Sequence, residues 1–180
     1  MAKTAKSSSG AGGAGGASGH GGTSGPTTAA TVALLRAGVA FTPHAYQHND
    51  AATDFGAEAA AALSIEPGRV FKTLMVETDK GLAIGIVSVS SMLDVKALAG
   101  VLGAKRASMA DKAVAERKSG YVVGGISPFG QKTPLPTVLD ALALDYPTIY
   151  VSGGRRGFDV EVAPADLLSV TGGITAVIRR

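Results

Sequence analysis

The sequence predicts a mixed α/β fold in which helices pack outside a curled, mostly antiparallel sheet. Three observations lead to this prediction. The strand-like runs are short and lie close together along the chain. Glycine- and proline-containing turns separate these runs. Several segments between them place apolar residues at helical spacing and carry helix-capping residues at their ends. We find no internal repeat and expect a single domain.

The N-terminal half of the domain predicts two helices and a hairpin. Apolar spacing in "TTAATVALLRAG" predicts a helix that Thr27 or Thr28 caps and Gly38 closes. The run "VAFTPHAYQH" is predicted to be extended. Asp54 is placed to cap a second helix, "FGAEAAAALSI", which ends before a Pro-Gly pair. The β-rich runs "RVFKTLMVET" and "GLAIGIVSVS" flank a turn at 79–81, a pattern typical of a hairpin.

The C-terminal half predicts more helices and several short strands. A helix is expected over 94–102, closed by Gly103, and Asp111 is placed to cap another that Gly120 closes. Strands alternating with Gly/Pro loops are predicted in "YVVGGISPFGQKTPLP", "TIYVSGGRRGFDVEV" and "GGITAVIRR". The run "APADLLSV" predicts a short helix.

The composition suits one domain with a substantial core, because 46% of the 180 residues are hydrophobic. There is no run of 18 or more apolar residues and no apolar stretch of the kind a signal peptide needs, so we expect a cytoplasmic protein. The sequence contains no cysteine, which excludes disulfides, thiolate metal sites and a cysteine nucleophile.

Residues 1–28 hold nine glycines and five serines. Such a segment cannot bury enough apolar surface to offset its ordering entropy, so we predict a disordered tail before a domain at 29–180. The tail could be inert, a linker, a weak RNA-contacting arm or a cloning remnant. It contains Lys3 and Lys6 and no acid, which leaves 15 basic and 14 acidic residues, a net charge of +1, in the domain. That charge alone does not predict RNA binding.

Several familiar catalytic motifs do not fit. "GISPFGQKT" is not expected to be a P-loop, because Gln131 separates the required Gly-Lys pair and two prolines disfavour the helix that must follow. His44 and His48 lie about 13 Å apart in an extended segment, too far to share one zinc ion without a sharp bend. The chain has three histidines and no nucleophile elbow, so a Ser-His-Asp triad is not expected.

Lys72 is the most unusual residue of the predicted strands. It shares a strand face with apolar residues, namely Val70, Leu74 and Val76. Burying an ammonium group without a partner is costly. Two interpretations remain open: an edge-strand lysine that reaches water, or a pocket lysine that meets a phosphate or carbonyl oxygen.

Two glycine-rich loops, "GGISPFG" and "SGGRRGFD", form the second notable feature. Glycine allows backbone N–H groups to approach a ligand closely, and Arg155 and Arg156 offer donors suited to phosphate. The same loops could simply be turns.

Together, "FTPHAYQH", "VFKTLMV", "GYVVGGISPFGQK" and "TIYVSGGRRGFDVEV" resemble the YbaK branch of the prolyl-tRNA-synthetase-associated domains, over about residues 29–180. The resemblance implies a curled or barrel-like sheet with surrounding helices. It also implies a trans-editing enzyme that releases cysteine from Cys-tRNA(Pro), often alongside prolyl-tRNA synthetase, with no metal or organic cofactor. Sibling branches remove alanine or other small amino acids.

The resemblance also implies a site. Lys72 matches the essential lysine of the family, Tyr46 a pocket tyrosine and Asp159 a pocket aspartate. The other positions that match the family's site are Phe55, Thr73, Gly124 and Ser152. Apart from the resemblance, the loop N–H groups of Gly124 and Gly125 are expected to offer donors to the substrate. Basic residues are expected to contact the tRNA, with Lys132, Arg155 and Arg156 as the main candidates.

Two routes of release stay open, attack by water and attack by the thiol of the substrate cysteine on its own ester. Other functions also stay open. These are deacylation of alanyl-tRNA or another small aminoacyl-tRNA, a non-catalytic tRNA-binding module on the same fold, and a protein-interaction domain tethered by the tail.

Overall fold

The structure, a computed structural model, describes residues 25–180, so the predicted tail lies outside it except for 25–28. Helix α1 (Ala29–Ala37) begins at the Thr28 cap, whose hydroxyl accepts from the Thr31 amide, and ends at Gly38 in the left-handed conformation. The Thr28 hydroxyl also donates to the Gly153 carbonyl. The N-terminal cap therefore also fastens α1 to the strand that carries Gly153.

Aspartate caps begin three of the other helices. Asp54 accepts from backbone amides of α2 (Phe55–Ala62), Asp94 from those of α3 (Val95–Val101) and Asp111 from those of α4 (Lys112–Ser119). Each carboxylate satisfies amides that have no partner within the helix. Helix α5 (Pro164–Thr171) instead starts with proline at its first position. These helices were predicted at nearly these bounds.

Eight strands form one sheet in the order β1-β7-β6-β2-β3-β5-β8, and β4 pairs separately with β2. Pairings β1/β7, β2/β3, β2/β4 and β6/β7 are antiparallel, whereas β2/β6, β3/β5 and β5/β8 are parallel. The sheet curls into a half-barrel, as predicted. The strands are β1 (Phe41–Ala45), β2 (Val70–Thr78), β3 (Gly81–Ser88), β4 (Ala107–Met109), β5 (Thr137–Asp140), β6 (Ile149–Arg155), β7 (Phe158–Val162) and β8 (Ile174–Ala176).

The strand predicted in "YVVGGISPFGQKTPLP" is wrong, because residues 121–136 form turns and loops. Gly124 and Gly130 adopt positive φ, outside the backbone region of regular strands. Local contacts replace ladder pairing: the Tyr121 hydroxyl donates to the Phe129 carbonyl at 2.6 Å. Strands β4 and β5, of three and four residues, were not predicted.

Strand β2 is buried on both sides of the sheet. Phe71 and Met75 belong to the largest core cluster, together with side chains of α1 and α5. Val76 belongs to a cluster that α3 completes, and Val70 to a smaller one beneath α2. Strand β2 lies in the middle of the sheet, so Lys72 is not on an edge strand, although its side chain is partly exposed as that interpretation required. Among residues 25–180, no helix is long and apolar enough to cross a membrane.

One edge of β2 is interrupted. Along that edge β2 pairs with β6 only at Val70 and Phe71, and with β4 only over 76–78. Between these two ladders, residues 72–75 pair with no strand on that side. The Met75 carbonyl points to this edge, where it accepts from the Ala110 amide at 3.0 Å. Because backbone groups alternate along an antiparallel strand, the N–H and C=O of Thr73 face the same opening.

Candidate active site

A cavity of about 570 Å³ occupies the opening in the sheet. It touches side chains from both faces, since Met75 and Ile126 of the largest core cluster line it together with Val70 of the cluster beneath α2. A substrate lying in the opening would therefore meet both strand edges and both sheet faces.

The structure brings most of the sequence-predicted substrate residues to this cavity. Seven of them line it: Tyr46, Phe55, Lys72, Thr73, Gly124, Ser152 and Asp159. They come from six separate strands, helices and loops of the chain, which supports the grouping made by resemblance. Arg155, Arg156 and Lys132 are exposed and lie outside the lining. Lys112, at the start of α4, also lines the cavity and was not singled out by the sequence.

Gly125 was expected to offer a backbone donor to the substrate, and the structure contradicts this. Its N–H donates to the Val122 carbonyl at 2.9 Å, so it has no donor left for a ligand. A Cβ at this position would lie 2.8 Å from the Arg155 backbone. Gly125 is thus required for close packing between two loops.

Lys72 is partly exposed at the cavity wall. Within residues 25–180 its ammonium forms no ion pair with any carboxylate, including the carboxylate of Asp159. The cavity therefore offers an uncompensated positive charge. Such a charge can meet a phosphate or an oxygen that gains negative charge during a reaction.

The hydroxyl of Thr73 is buried and, among the described residues, makes no hydrogen bond. Burying a hydroxyl without a partner usually costs about 1–3 kcal/mol. The backbone of Thr73 faces the opening, so this residue presents an amide N–H and a carbonyl to the cavity, with its buried hydroxyl close behind them. The arrangement suits a ligand with several polar atoms.

Asp159 lies on β7 directly opposite Ser152 on β6, so both side chains project from the same face. Asp159 is only 5% exposed, and this burial raises the pKa of its carboxyl to about 7. Burial, together with the negative charges of Asp159 and Glu58, also raises the pKa of Tyr46 above its ordinary value. A cationic group entering the cavity would favour the ionised form of Asp159.

The segment before α2 is held at the cavity rim by Glu58. Its carboxylate binds the His48 ring at 2.8 Å and accepts from the Asn49 amide at 2.6 Å. Burial would raise the pKa of Glu58, but these two contacts outweigh it and hold the pKa below the usual value. His44 contacts a different carboxylate, Glu161, at 3.0 Å. The two histidines therefore serve separate contacts.

Phe55 and Gly124 meet where α2 approaches the loop after α4. Gly124 has φ of +88°, and a Cβ there would lie 2.7 Å from the Phe55 ring. The Arg156 guanidinium also contacts the Phe55 ring, with its central carbon 4.8 Å from the ring centroid. Arg156 also donates twice to the Val123 carbonyl, at 2.8 and 3.0 Å. Much of its hydrogen-bonding capacity is therefore used inside the protein.

This chain is similar to known proteins in both sequence and fold. Residues 48–170 match the model of the aminoacyl-tRNA editing domain. A protein of Enterococcus faecalis described as a Cys-tRNA(Pro)/Cys-tRNA(Cys) deacylase, EbsC, is 41% identical over 120 residues, which are 66% of this chain and 73% of that protein.

Two solved structures extend the comparison. One is described as a trans-editing enzyme for prolyl-tRNA synthetase; it has 28% sequence identity and a TM-score of 0.76, over 86% of this chain and 99% of that one. The other, APE2540, has 23% identity and a TM-score of 0.77, over 85% of this chain and all of that one, and shows the shared fold. The chain belongs to the aminoacyl-tRNA editing domain family, and it is an aminoacyl-tRNA deacylase.

Proposed function

We propose that this deacylase acts in trans and releases cysteine from Cys-tRNA(Pro). The observation that carries the proposal is the opening beside Thr73, where an unpaired cation, a buried carboxyl and the unpaired edge of β2 meet at one cavity. The descriptions of the two relatives as a Cys-tRNA deacylase and a prolyl trans-editing enzyme support the choice of amino acid and tRNA.

The roles follow from the chemistry of each group. Lys72 faces the terminal phosphate or the oxygen that becomes negative when the ester carbonyl is attacked. Asp159 binds the α-ammonium group of the amino acid, and this binding ionises its carboxyl. Tyr46 contacts the sugar or the amino acid. Thr73 and Gly124 hydrogen-bond the ester. Because an aminoacyl ester is already activated, positioning and charge stabilisation suffice without a protein nucleophile.

The thiol of the substrate cysteine supplies the nucleophile in this proposal. Its sulfur attacks the ester carbonyl, a C–S bond forms, and the C–O bond to the terminal ribose breaks. The thiol proton ends on the ribose oxygen, so the products are a cyclic thioester and uncharged tRNA. Attack by water is the alternative route, and it would release free cysteine.

The testing experiment measures loss of labelled cysteine from Cys-tRNA(Pro) by wild type, Lys72→Ala and the control Lys80→Ala. Lys80 is an exposed lysine of the β2–β3 turn, outside the cavity. We expect fast release by wild type and Lys80→Ala, and a loss of at least about 100-fold in Lys72→Ala. Release by wild type no faster than the spontaneous rate would overturn the cysteine assignment.

An alanyl ester separates the two routes of release. Alanine has no side-chain nucleophile, so Ala-tRNA(Pro) should survive if the thiol route operates. Cleavage of both esters at similar rates would establish attack by water and a broader specificity for small amino acids.

The family establishes tRNA as the substrate, and we further propose that prolyl-tRNA synthetase delivers it in the cytoplasm. The domain carries a net charge of only +1 outside residues 1–28, which favours weak independent binding of tRNA. If this is correct, adding prolyl-tRNA synthetase at catalytic concentrations of deacylase will lower the KM for Cys-tRNA(Pro).

A further inference from the structure

A second cavity, of about 660 Å³, adjoins the active-site cavity. Three residues line both cavities: Lys72, Leu74 and Met109. The two cavities therefore meet at residues of β2 and β4. A ligand that extends from the first cavity past Lys72 enters the second.

The second cavity is positively charged. Lys72, Lys96 and Arg180 line it, and within residues 25–180 none of them forms an ion pair. Asp94 also lines it, but its carboxylate accepts from the Lys96 and Ala97 amides at 3.0 Å. Three cationic side chains thus line this cavity together with one acidic side chain, which is already hydrogen-bonded.

The position of Arg180 is fixed by its neighbours. Its backbone exchanges two hydrogen bonds with Met92, at 2.9 and 3.2 Å. The preceding Arg179 side chain binds the fully buried Asp140 at 2.6 Å. The backbone at Arg180 is therefore anchored beside the cavity, which keeps its guanidinium within a side chain's reach of it.

Two methionines give this cavity apolar surfaces. Met92 is 60% exposed and Met109 is 51% exposed, unusual values for methionine. The thioether group is polarisable and makes favourable contacts with aromatic rings. Cations beside exposed methionines form a surface that complements phosphates linked to aromatic bases.

We propose that the second cavity binds the nucleotides that precede the aminoacylated adenosine in the single-stranded 3′ end of the tRNA. Lys96 and Arg180 contact their phosphates, Met92 and Met109 contact their bases, and Lys72 lies at the junction between the two cavities. This inference rests on the proposed function, and it assigns tRNA contacts to residues other than Arg155 and Arg156, which do not line this cavity. An acidic peptide is the competing occupant.

The first test measures binding without turnover. A 5′-labelled RNA hexanucleotide ending in CCA is titrated with wild type, with Lys96→Ala/Arg180→Ala, and with the control Lys80→Ala/Arg36→Ala. The control removes one lysine and one arginine that are exposed and lie outside both cavities. We expect the first double variant to bind about tenfold more weakly at low salt. The slope of log K against log salt concentration should become shallower by about 1.4, because each contact with a single-strand phosphate contributes about 0.7 to that slope.

Equal affinities for the two double variants, or no binding of the hexanucleotide by wild type at low salt, would overturn the proposal. Tighter binding of a hexaglutamate peptide than of the RNA, lost in Lys96→Ala/Arg180→Ala, would replace the nucleic acid with a protein partner. Thermal unfolding of each variant checks that the fold is intact.

The second test uses turnover. It compares kcat/KM for a cysteinyl trinucleotide with kcat/KM for cysteinyl-adenosine, which is too short to reach the second cavity. Wild type should prefer the trinucleotide, and this preference should fall about tenfold in Lys96→Ala/Arg180→Ala. An unchanged preference contradicts the proposal. Binding of RNA by a wild type that cleaves neither ester would instead overturn the proposed function and leave the second site standing.

Discussion

Arg156 lies across the ring of Phe55, with its guanidinium carbon 4.8 Å from the ring centroid, and ties this ring to the loop that carries Gly124. The link to the loop is the pair of hydrogen bonds to the Val123 carbonyl. Arg156 does not line the cavity itself, whereas Phe55 and Gly124 do. We therefore assign Arg156 as a positioning residue for the cavity rim.

Replacing Arg156 with alanine should raise the KM for the aminoacyl ester about five- to tenfold and change kcat little, because the rim loosens while Lys72 stays in place. Arg156→Lys should recover only part of the loss, since an ammonium cannot stack flat on a ring or form the same forked contact. Steady-state kinetics with cysteinyl-adenosine makes the comparison.

Arg155→Ala is the matched control, because Arg155 is the neighbouring exposed arginine and, within residues 25–180, makes no cation–π contact with Phe55. It should leave cysteinyl-adenosine kinetics unchanged. Equal losses in the two alanine variants on this short substrate would refute the positioning role.

Gly124→Ala tests the close approach of the loop to Phe55. The added Cβ meets the ring at 2.7 Å and sits on a backbone with φ of +88°. Gly38→Ala is a matched control, because Gly38 has φ of +67° and no atom within 4 Å of an added Cβ. Both variants should lose about 1 kcal/mol of unfolding free energy from the left-handed backbone.

Only Gly124→Ala should also weaken substrate binding, since only there does the ring at the rim have to move. Urea unfolding gives the first quantity and the KM of cysteinyl-adenosine the second. A normal KM in Gly124→Ala would show that the position of the ring does not matter to the substrate.

Asp159 should make stability depend on pH. Its pKa is raised from 3.8 to about 7 by burial, so the folded protein keeps a proton that the unfolded chain loses above about pH 4. The stabilising effect of the neutral acid is complete below pH 4 and declines as the pH rises through 7. Asp159→Asn removes this decline.

Relative to wild type, Asp159→Asn should therefore be about 2–3 kcal/mol more stable at pH 8 than it is at pH 5. Urea unfolding of both proteins at the two pH values measures this change. The lowered pKa values of Glu58 and Glu161 affect both proteins equally and cancel in the difference. The same difference at both values would mean that Asp159 is ionised throughout in the folded protein.

Thr73→Val separates stability from function. Valine has a similar shape and removes a buried hydroxyl that has no partner in the described structure. The variant should be as stable as wild type or up to about 1 kcal/mol more stable, while kcat/KM falls about tenfold because the substrate loses a hydrogen bond. Thr73→Ser should keep most of the activity. Loss of stability in Thr73→Val would indicate that the hydroxyl serves the fold.

Sequence patterns predicted the helices well because their ends depend on local chemistry. The Thr28, Asp54 and Asp111 caps and the Gly38 and Gly120 ends lie where they were expected. Short strands such as β4 were missed because three residues carry too little periodicity to detect.

The cavity could not be predicted in the same way. It exists because β6 and β4 each pair with a different part of β2, and this register joins residues about 30 to 80 positions apart in sequence. Resemblance supplied residues that line it, among them Gly124. The glycine-rich loop alone suggested Gly125 as a further donor, but the N–H of Gly125 is already bonded. The basic charge of Arg156 suggested a tRNA contact, whereas the structure shows its guanidinium against Phe55 and Val123.

The gap in the β2 ladder has a consequence for how enzymes of this architecture diversify. The amide and carbonyl at Thr73 come from the main chain, so they persist whichever side chains surround them. Substitutions at lining positions such as Leu74, Met75 or Met109 can then reshape the cavity without removing these main-chain groups. The shape of the cavity can therefore change while its main-chain hydrogen-bonding groups stay in place.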